Sequence, residues 1–244
     1  MTFPASTFAQ LQNNGYTHTP LLSPDELAQL RSFIRSSIQE AIDVRIDDLG
    51  TYHSVVSDVQ HRVMGAKPNR VLKPADADAV LNFDSIRAFR DFLPGYVPQE
   101  VTYGELKSEP RPEVYFRLVR PRHDTDVGAA HCDRWFHELY NIEYRHSMSY
   151  KMWISVESSS GENGLVIYPG STSHPLGYIK VDTPDGPKPK PDFDLSEIGP
   201  GQLMPARPGD ALIFNHNVFH QGAVNNADRS RISVEITWCR PETR

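Results

Sequence analysis

From Glu113 onward the chain is written in short β-branched and aromatic runs, EVYFRLV, SMSYKMWISVE, GLVIYP, DALIF and RISVEITWC, separated by Pro, Gly, Asn and Asp. Strands this short and this regularly interrupted point to an all-β sandwich or barrel. The part before them reads differently. Ser23-Pro24-Asp25-Glu26 offers an N-cap hydroxyl, a proline at the first helical position and a glutamate that completes a capping box. Leu27, Leu30, Ile34, Ile38, Ala41 and Ile42 then recur at spacings of three and four, which predicts a helix with one apolar stripe. A second helix is predicted over Asp76–Leu93, anchored by Val80, Leu81, Ile86, Phe89 and Phe92 and stopped by Pro94. The expected fold is therefore mainly β with flanking helices: one domain over 1–244, with a helical support region over 1–100 and a β core over 113–239. The proline-rich, polar stretch Asp182–Gly201 reads as a long excursion from that core, of the kind that often serves as a lid.

Composition narrows the function classes. With 39% hydrophobic and 23% charged residues, 244 residues can bury one sizeable core. A net charge of −6 gives no general attraction for phosphate backbones, so nucleic acid is not an expected partner. No window approaches the roughly 18 consecutive apolar residues of a membrane span. The two cysteines, Cys132 and Cys239, and the absence of a leader-like start in MTFPASTFAQ make a cytoplasmic protein acting on a small molecule the simplest expectation. The oligomeric state is not legible.

His131-Cys132-Asp133 places two candidate metal ligands two residues apart, so on an extended strand both side chains leave the same face while Cys132 points away. His220 offers a third ligand, a few residues after the strand-like run DALIF and two residues before Gly222. Two histidines and one carboxylate on one side of a metal, with the opposite positions open, suit an iron(II) oxygenase. The same three ligands around zinc or manganese would suit a non-oxidative, cupin-like isomerase or sugar-binding barrel. A nucleophilic role for Cys132 beside His131 is disfavoured because adjacent strand residues face opposite ways.

Arg231, eleven residues after His220, shares a strand face with Ser233, while Ile232, Val234 and Ile236 belong to the other face. A guanidinium paired with a hydroxyl inside a barrel fits a carboxylate ligand; the plainer reading is a structural salt bridge.

With these residues in place the sequence resembles a known family. Trp153-Ile154-Ser155, Glu162-Asn163-Gly164 and Pro169-Gly170-Ser171, framed by His131-x-Asp133, Gly209-Asp210, His220-Gln221-Gly222 and Arg231-x-Ser233, are similar to the phytanoyl-CoA dioxygenase family over roughly 113–238. The resemblance implies a double-stranded β-helix of the jelly-roll, cupin-like kind. It implies iron(II) held by His131, Asp133 and His220, and 2-oxoglutarate whose distal carboxylate is held by Arg231 with Ser233. Trp153 lies near that cosubstrate, and Tyr115 on the earlier strand is a further candidate contact. Consumption of O2 and 2-oxoglutarate, with release of succinate and CO2, is the implied chemistry. Relatives that halogenate replace the carboxylate ligand, so Asp133 points to hydroxylation. Two extra residues, Thr172 and Ser173, separate Pro-Gly-Ser from His174, where relatives often place a histidine directly.

Residues just beyond a metal ligand at a barrel mouth are placed to meet substrate. Trp135 and His137 are the candidates, with Arg117 on the earlier strand; a packed aromatic corner is the plainer reading of the first two. His53, His61, His146 and His216 lack partner spacing and read as surface or supporting residues.

Overall fold

The protein is described here from a computed structural model covering residues 5–101, 111–140, 147–174, 177–183 and 186–240. The helices are α1 (Ala5–Asn14), α2 (Pro24–Ile42), α3 (Tyr52–Val55), α4 (Asp58–Gly65), α5 (Pro74–Leu81), α6 (Asp84–Phe92) and α7 (Asp133–Leu139). The strands are β1 (Tyr16–Pro20), β2 (Val97–Pro98), β3 (Glu100–Val101), β4 (Arg111–Pro112), β5 (Val114–Val119), β6 (Ser149–Glu157), β7 (Leu165–Ile167), β8 (Tyr178–Thr183), β9 (Gly186–Pro191), β10 (Gln202–Leu203), β11 (Asp210–Asn215), β12 (His220–Gly222) and β13 (Arg231–Cys239).

The larger sheet runs β1-β11-β6-β13-β2, with β5 also paired to β13, and a smaller one runs β10-β7-β12. Their ladders stay separate among the described residues, so the jelly roll is two facing sheets. All pairs in both are antiparallel, and alternation sets what each face carries. On β13, Ile232, Val234, Ile236 and Trp238 join β6 residues Met152, Ile154 and Val156 and β5 residues Val114, Phe116 and Leu118 in one core with α2, α5 and α6. The opposite parity, with Lys151, Trp153, Arg231 and Glu235, faces the smaller sheet and lines a cavity there with Leu165, His220 and Gly222.

The capping box of α2 forms: Ser23 Oγ accepts from the Glu26 N–H and Glu26 accepts from the Ser23 N–H. Leu27, Leu30, Ile34 and Ile38 are its buried stripe. The single helix expected over Asp76–Leu93 is two. Asn82 closes α5, its side-chain amide donating to the Asp78 carbonyl, and Phe83 turns extended (φ −55°, ψ 141°) before α6.

The first hundred residues are more than helical support. β1 pairs along β11 from Tyr16↔Phe214 to Pro20↔Asp210, so the larger sheet has an edge from the N-terminal region. The excursion over Asp182–Gly201 also holds structure, since β8 and β9 pair from Tyr178↔Pro191 to Thr183↔Gly186. The prolines that argued against a strand, Pro187, Pro189 and Pro191, fall at period two. They can therefore occupy the positions whose missing N–H would point away from β8.

Candidate active site

The N–H of His131 donates to the His220 carbonyl at 2.9 Å and the N–H of His220 donates back at 2.8 Å, so the two are directly opposed across a one-residue bridge. Their side chains emerge on the same face, ring centroids 4.5 Å apart. His131 Nδ1 lies 2.7 Å from the Ala129 carbonyl and His220 Nδ1 lies 3.0 Å from the Val218 carbonyl. Each Nδ1 therefore carries the proton, and each Nε2 lone pair is left for a metal.

Asp133 reaches the same point by a route the sequence did not reveal. The extended backbone ends at Cys132 (φ −114°, ψ 147°), and Asp133 is the first residue of α7 rather than a strand residue. The spacing of two still brings Asp133 Oδ1 to 3.8 Å from His131 Nε2. One ligand atom from each of His131, Asp133 and His220 lies within 4.8 Å of the others. Burial, then the neighbouring His220, pushes His131 down to about 4, and burial also lowers His220. Burial alone would raise the Asp133 carboxyl, but Lys151 and the histidines hold it below the usual carboxylate range. At neutral pH all three are deprotonated donors, the state a divalent metal requires.

Arg231 is 2% exposed. Its Nη1 donates to the Gly164 carbonyl at 2.8 Å, while its Nε has no hydrogen-bond partner. Ser233 Oγ and Trp153 Nε1 are likewise buried without a partner, and the Trp153 ring centroid lies 5.9 Å from the guanidinium. Among the described residues no carboxylate pairs with Arg231. Burial, then Arg117, pushes its guanidinium down to about 10. Gly222 keeps this region open: a Cβ there would sit 3.4 Å from Arg231 Nη2 and 3.3 Å from Val127 Cγ1. A buried cation, a hydroxyl and an indole N–H, all with unmet hydrogen-bonding capacity, fit one carboxylate of a dianionic cosubstrate.

The other expected residues divide. Arg117 lines the same cavity and donates to Glu235. Tyr115 does not line it; its ring packs with Val71 and is faced by Lys67, Arg70 and Arg117 at 5.3, 5.0 and 5.3 Å. Trp135 is the packed aromatic corner, buried against Tyr178 and Phe219 at ring distances of 5.5 and 5.3 Å. His137 is buried beside His216, ring centroids 6.0 Å apart. His216 is thus no surface residue. His53 contacts Ser230 and His61 contacts Tyr52 and Asp126, while His146 lies outside the described residues. His174 falls just after a short helical turn, Ser171–Ser173, and does not line the cavity.

Lys151 and Glu235 were missed. Lys151 Nζ lies 3.6 Å from Asp133 Oδ2 and 3.9 Å from Glu235 Oε2. The signal was available: each charge interrupts an apolar strand at the parity shared with Trp153 and Arg231, and so faces inward.

A sequence model of the family described as Phytanoyl-CoA dioxygenase (PhyH) matches residues 11–233. The chain belongs to the phytanoyl-CoA dioxygenase family. As a member of it, the chain is a non-haem iron, 2-oxoglutarate-dependent oxygenase, and the match takes in β1 as well as the later strands. No curated protein matches it. Among solved structures, EvdO2 from Micromonospora carbonacea var. aurantiaca in complex with 2-oxoglutarate is 16% identical with a TM-score of 0.65, over 98% of this chain and 92% of that one. The non-heme monooxygenase ThoJ, as a nickel complex, is 12% identical with a TM-score of 0.58, over 96% and 77%. The α-ketoglutarate-dependent epimerase SnoN from nogalamycin biosynthesis is 17% identical with a TM-score of 0.56, over 96% and 79%. At these identities the likeness is one of fold. No helix among the described residues is long and apolar enough to cross a membrane.

Proposed function

We propose that this oxygenase hydroxylates a C–H bond of a small polar metabolite or natural-product intermediate. His131, Asp133 and His220 hold the iron, and Arg231 with Ser233 and Trp153 receives the distal carboxylate of 2-oxoglutarate. The observation that carries the reading is the buried guanidinium of Arg231, without a carboxylate partner and beside two other unsatisfied donors, in the cavity that the three metal-ligand candidates also line. Leaving such a cation buried costs free energy unless a ligand supplies the counter-charge.

Iron and 2-oxoglutarate, when bound, supply oxygen activation coupled to decarboxylation to succinate and CO2. The residues of the chain supply placement. The backbone pairing of His131 and His220 fixes two ligands before any metal arrives, and their Nδ1–H donation fixes which nitrogen each presents. Arg231 fixes the far end of the cosubstrate, and so its direction in the cavity. Leu165, Trp153 and Phe214 provide apolar wall, which keeps water from the reacting centre. Asp133 occupies the position whose loss accompanies halogenation in relatives, which favours oxygen transfer. SnoN is described as an epimerase and SnoK as a carbocyclase, so the outcome has to be read from the product. Cys132 and Cys239 are free, buried thiols, in keeping with the proposed cytoplasmic setting.

The test is incubation with iron(II), ascorbate, 2-oxoglutarate and a metabolite panel under 18O2, read by mass spectrometry. The reading predicts succinate and a product carrying one 18O atom. A product of unchanged mass or one lighter by two hydrogens, formed with equal succinate, contradicts hydroxylation.

A further inference from the structure

The cavity wall carries one positive charge more than its available carboxylates, and iron(II) with dianionic 2-oxoglutarate, neutral together, leaves that excess in place. Arg117, Lys151 and Arg231 are its cations, and Asp133, Glu235 and Asp126 its carboxylates. Asp126 is committed elsewhere: it accepts from the Arg120 backbone N–H, Nε and Nη2 at 2.9, 2.9 and 3.0 Å and pairs with His61 at 3.1 Å. Asp133 and Glu235 serve the other two cations, since Lys151 spans them at 3.6 and 3.9 Å and Arg117 holds Glu235.

Loading redistributes these charges without changing their sum. This step rests on the oxygenase reading above. A divalent iron, Asp133, a dianionic 2-oxoglutarate and Arg231 sum to no net charge. What remains is Arg117 and Lys151 beside Glu235, with the charge of Asp133, whose Oδ2 lies 3.6 Å from Lys151 Nζ, now offset by the metal. Arg70, over the Tyr115 ring at 5.0 Å, adds positive charge nearby. An uncompensated charge in an enclosed cavity is costly, and a ligand that brings the opposite charge removes the cost. Arg117 pairs with Ser233 across β5 and β13 and lines this cavity from the inner strand face.

We propose that the primary substrate carries an oxyanion, most simply a carboxylate, and that Arg117 and Lys151 receive it while Glu235 sets how much positive charge is left to attract it. Arg117 and Lys151 then determine specificity: they select an acidic small molecule and direct its carbon skeleton from that anchor toward the iron.

The test uses full-length protein loaded with zinc(II), which supports no turnover, and saturated with 2-oxoglutarate. The probes are benzoate and benzamide, alike in shape and different in charge, with dissociation constants measured calorimetrically. Uptake of 2-oxoglutarate is measured first. The proposal predicts that benzoate binds at least tenfold more tightly than benzamide, that Arg117→Gln abolishes the preference, and that Glu235→Gln tightens benzoate severalfold while leaving benzamide unchanged. Opposite effects from the two partners of one ion pair are not what a merely structural pair would give, and the Glu235 variant decides the matter should the Arg117 variant fail to fold. Loaded protein that binds neither probe, binds both equally, or loses benzoate in Glu235→Gln overturns the anion site and leaves the oxygenase reading intact. Protein that takes up no 2-oxoglutarate overturns both.

Discussion

His131 and His220 are held face to face by two backbone hydrogen bonds, 2.9 and 2.8 Å, although 88 residues lie between them in the chain. Two of the three metal-ligand candidates are thus set by sheet pairing, not by the metal. Replacing the His220 ring by Ala leaves that pairing in place. His220→Ala is expected to retain the far-ultraviolet circular dichroism of the wild type while its iron(II) affinity, followed by competition with a chelator, falls by at least roughly 100-fold. Unfolding of the apoprotein variant under the same conditions contradicts the backbone account.

Arg231 is a buried cation with no carboxylate partner among the described residues, and so is costly to the empty protein. Arg231→Gln removes the charge and keeps donors for the Gly164 carbonyl. The apoprotein is expected to be as stable as the wild type or more so in urea unfolding, while 2-oxoglutarate affinity falls by about 100-fold, equivalent to about 3 kcal/mol. A large loss of stability with unchanged cosubstrate affinity makes Arg231 a structural residue.

Gly222 separates the metal from the cosubstrate as targets of mutation. A Cβ at this position meets Val127 Cγ1 at 3.3 Å and Arg231 Nη2 at 3.4 Å, both tight. Gly222→Ala is expected to weaken 2-oxoglutarate roughly tenfold, about 1.4 kcal/mol, and to leave iron(II) affinity unchanged. Parallel losses of both contradict the assignment of this end of the cavity.

The alternating strands were legible because β5, β6 and β13 each carry an unbroken apolar row on one parity, and the row on β13 names Arg231 and Ser233 as inward residues by elimination. The capping box of α2 was legible because both of its bonds are local. What escaped depended on distant partners. β1 is too short and polar to declare itself, and forms because β11 offers it a complementary edge. The three prolines Pro187, Pro189 and Pro191 lower strand propensity by their number, yet their period of two leaves the alternate positions free to pair with β8. Asp133 was expected on a strand because spacing fixes which side chains converge but not the backbone that brings them together. The position of Trp135 after a ligand allows either a substrate contact or a packed aromatic corner, and α7 places it in an aromatic cluster with Phe219.

Three buried histidines, His137, His216 and His220, and the half-buried His131 make the apoprotein sensitive to acid. Burial, then His137, pushes His216 down to about 4; His131 is also at about 4, and His137 and His220 are lowered. Each folded value lies below the unfolded value of about 6.5. The unfolded state therefore binds protons first, and stability present above pH 6.5 is lost as pH falls toward 4. Replacing His216 by Gln is expected to flatten the fall in urea-unfolding free energy between pH 7 and pH 5 by about 1–2 kcal/mol. A slope unchanged by the substitution contradicts a neutral, buried His216.

The most direct test of the central claim is anaerobic titration of the apoprotein with iron(II) and then 2-oxoglutarate, followed by visible absorption. The account predicts a metal-to-ligand charge-transfer band that saturates at one equivalent of each in the wild type. It predicts that the band is absent in Asp133→Ala and requires far more 2-oxoglutarate in Arg231→Ala. A wild-type protein that binds iron yet develops no band, or an Asp133→Ala variant that develops it fully, contradicts the site as assigned.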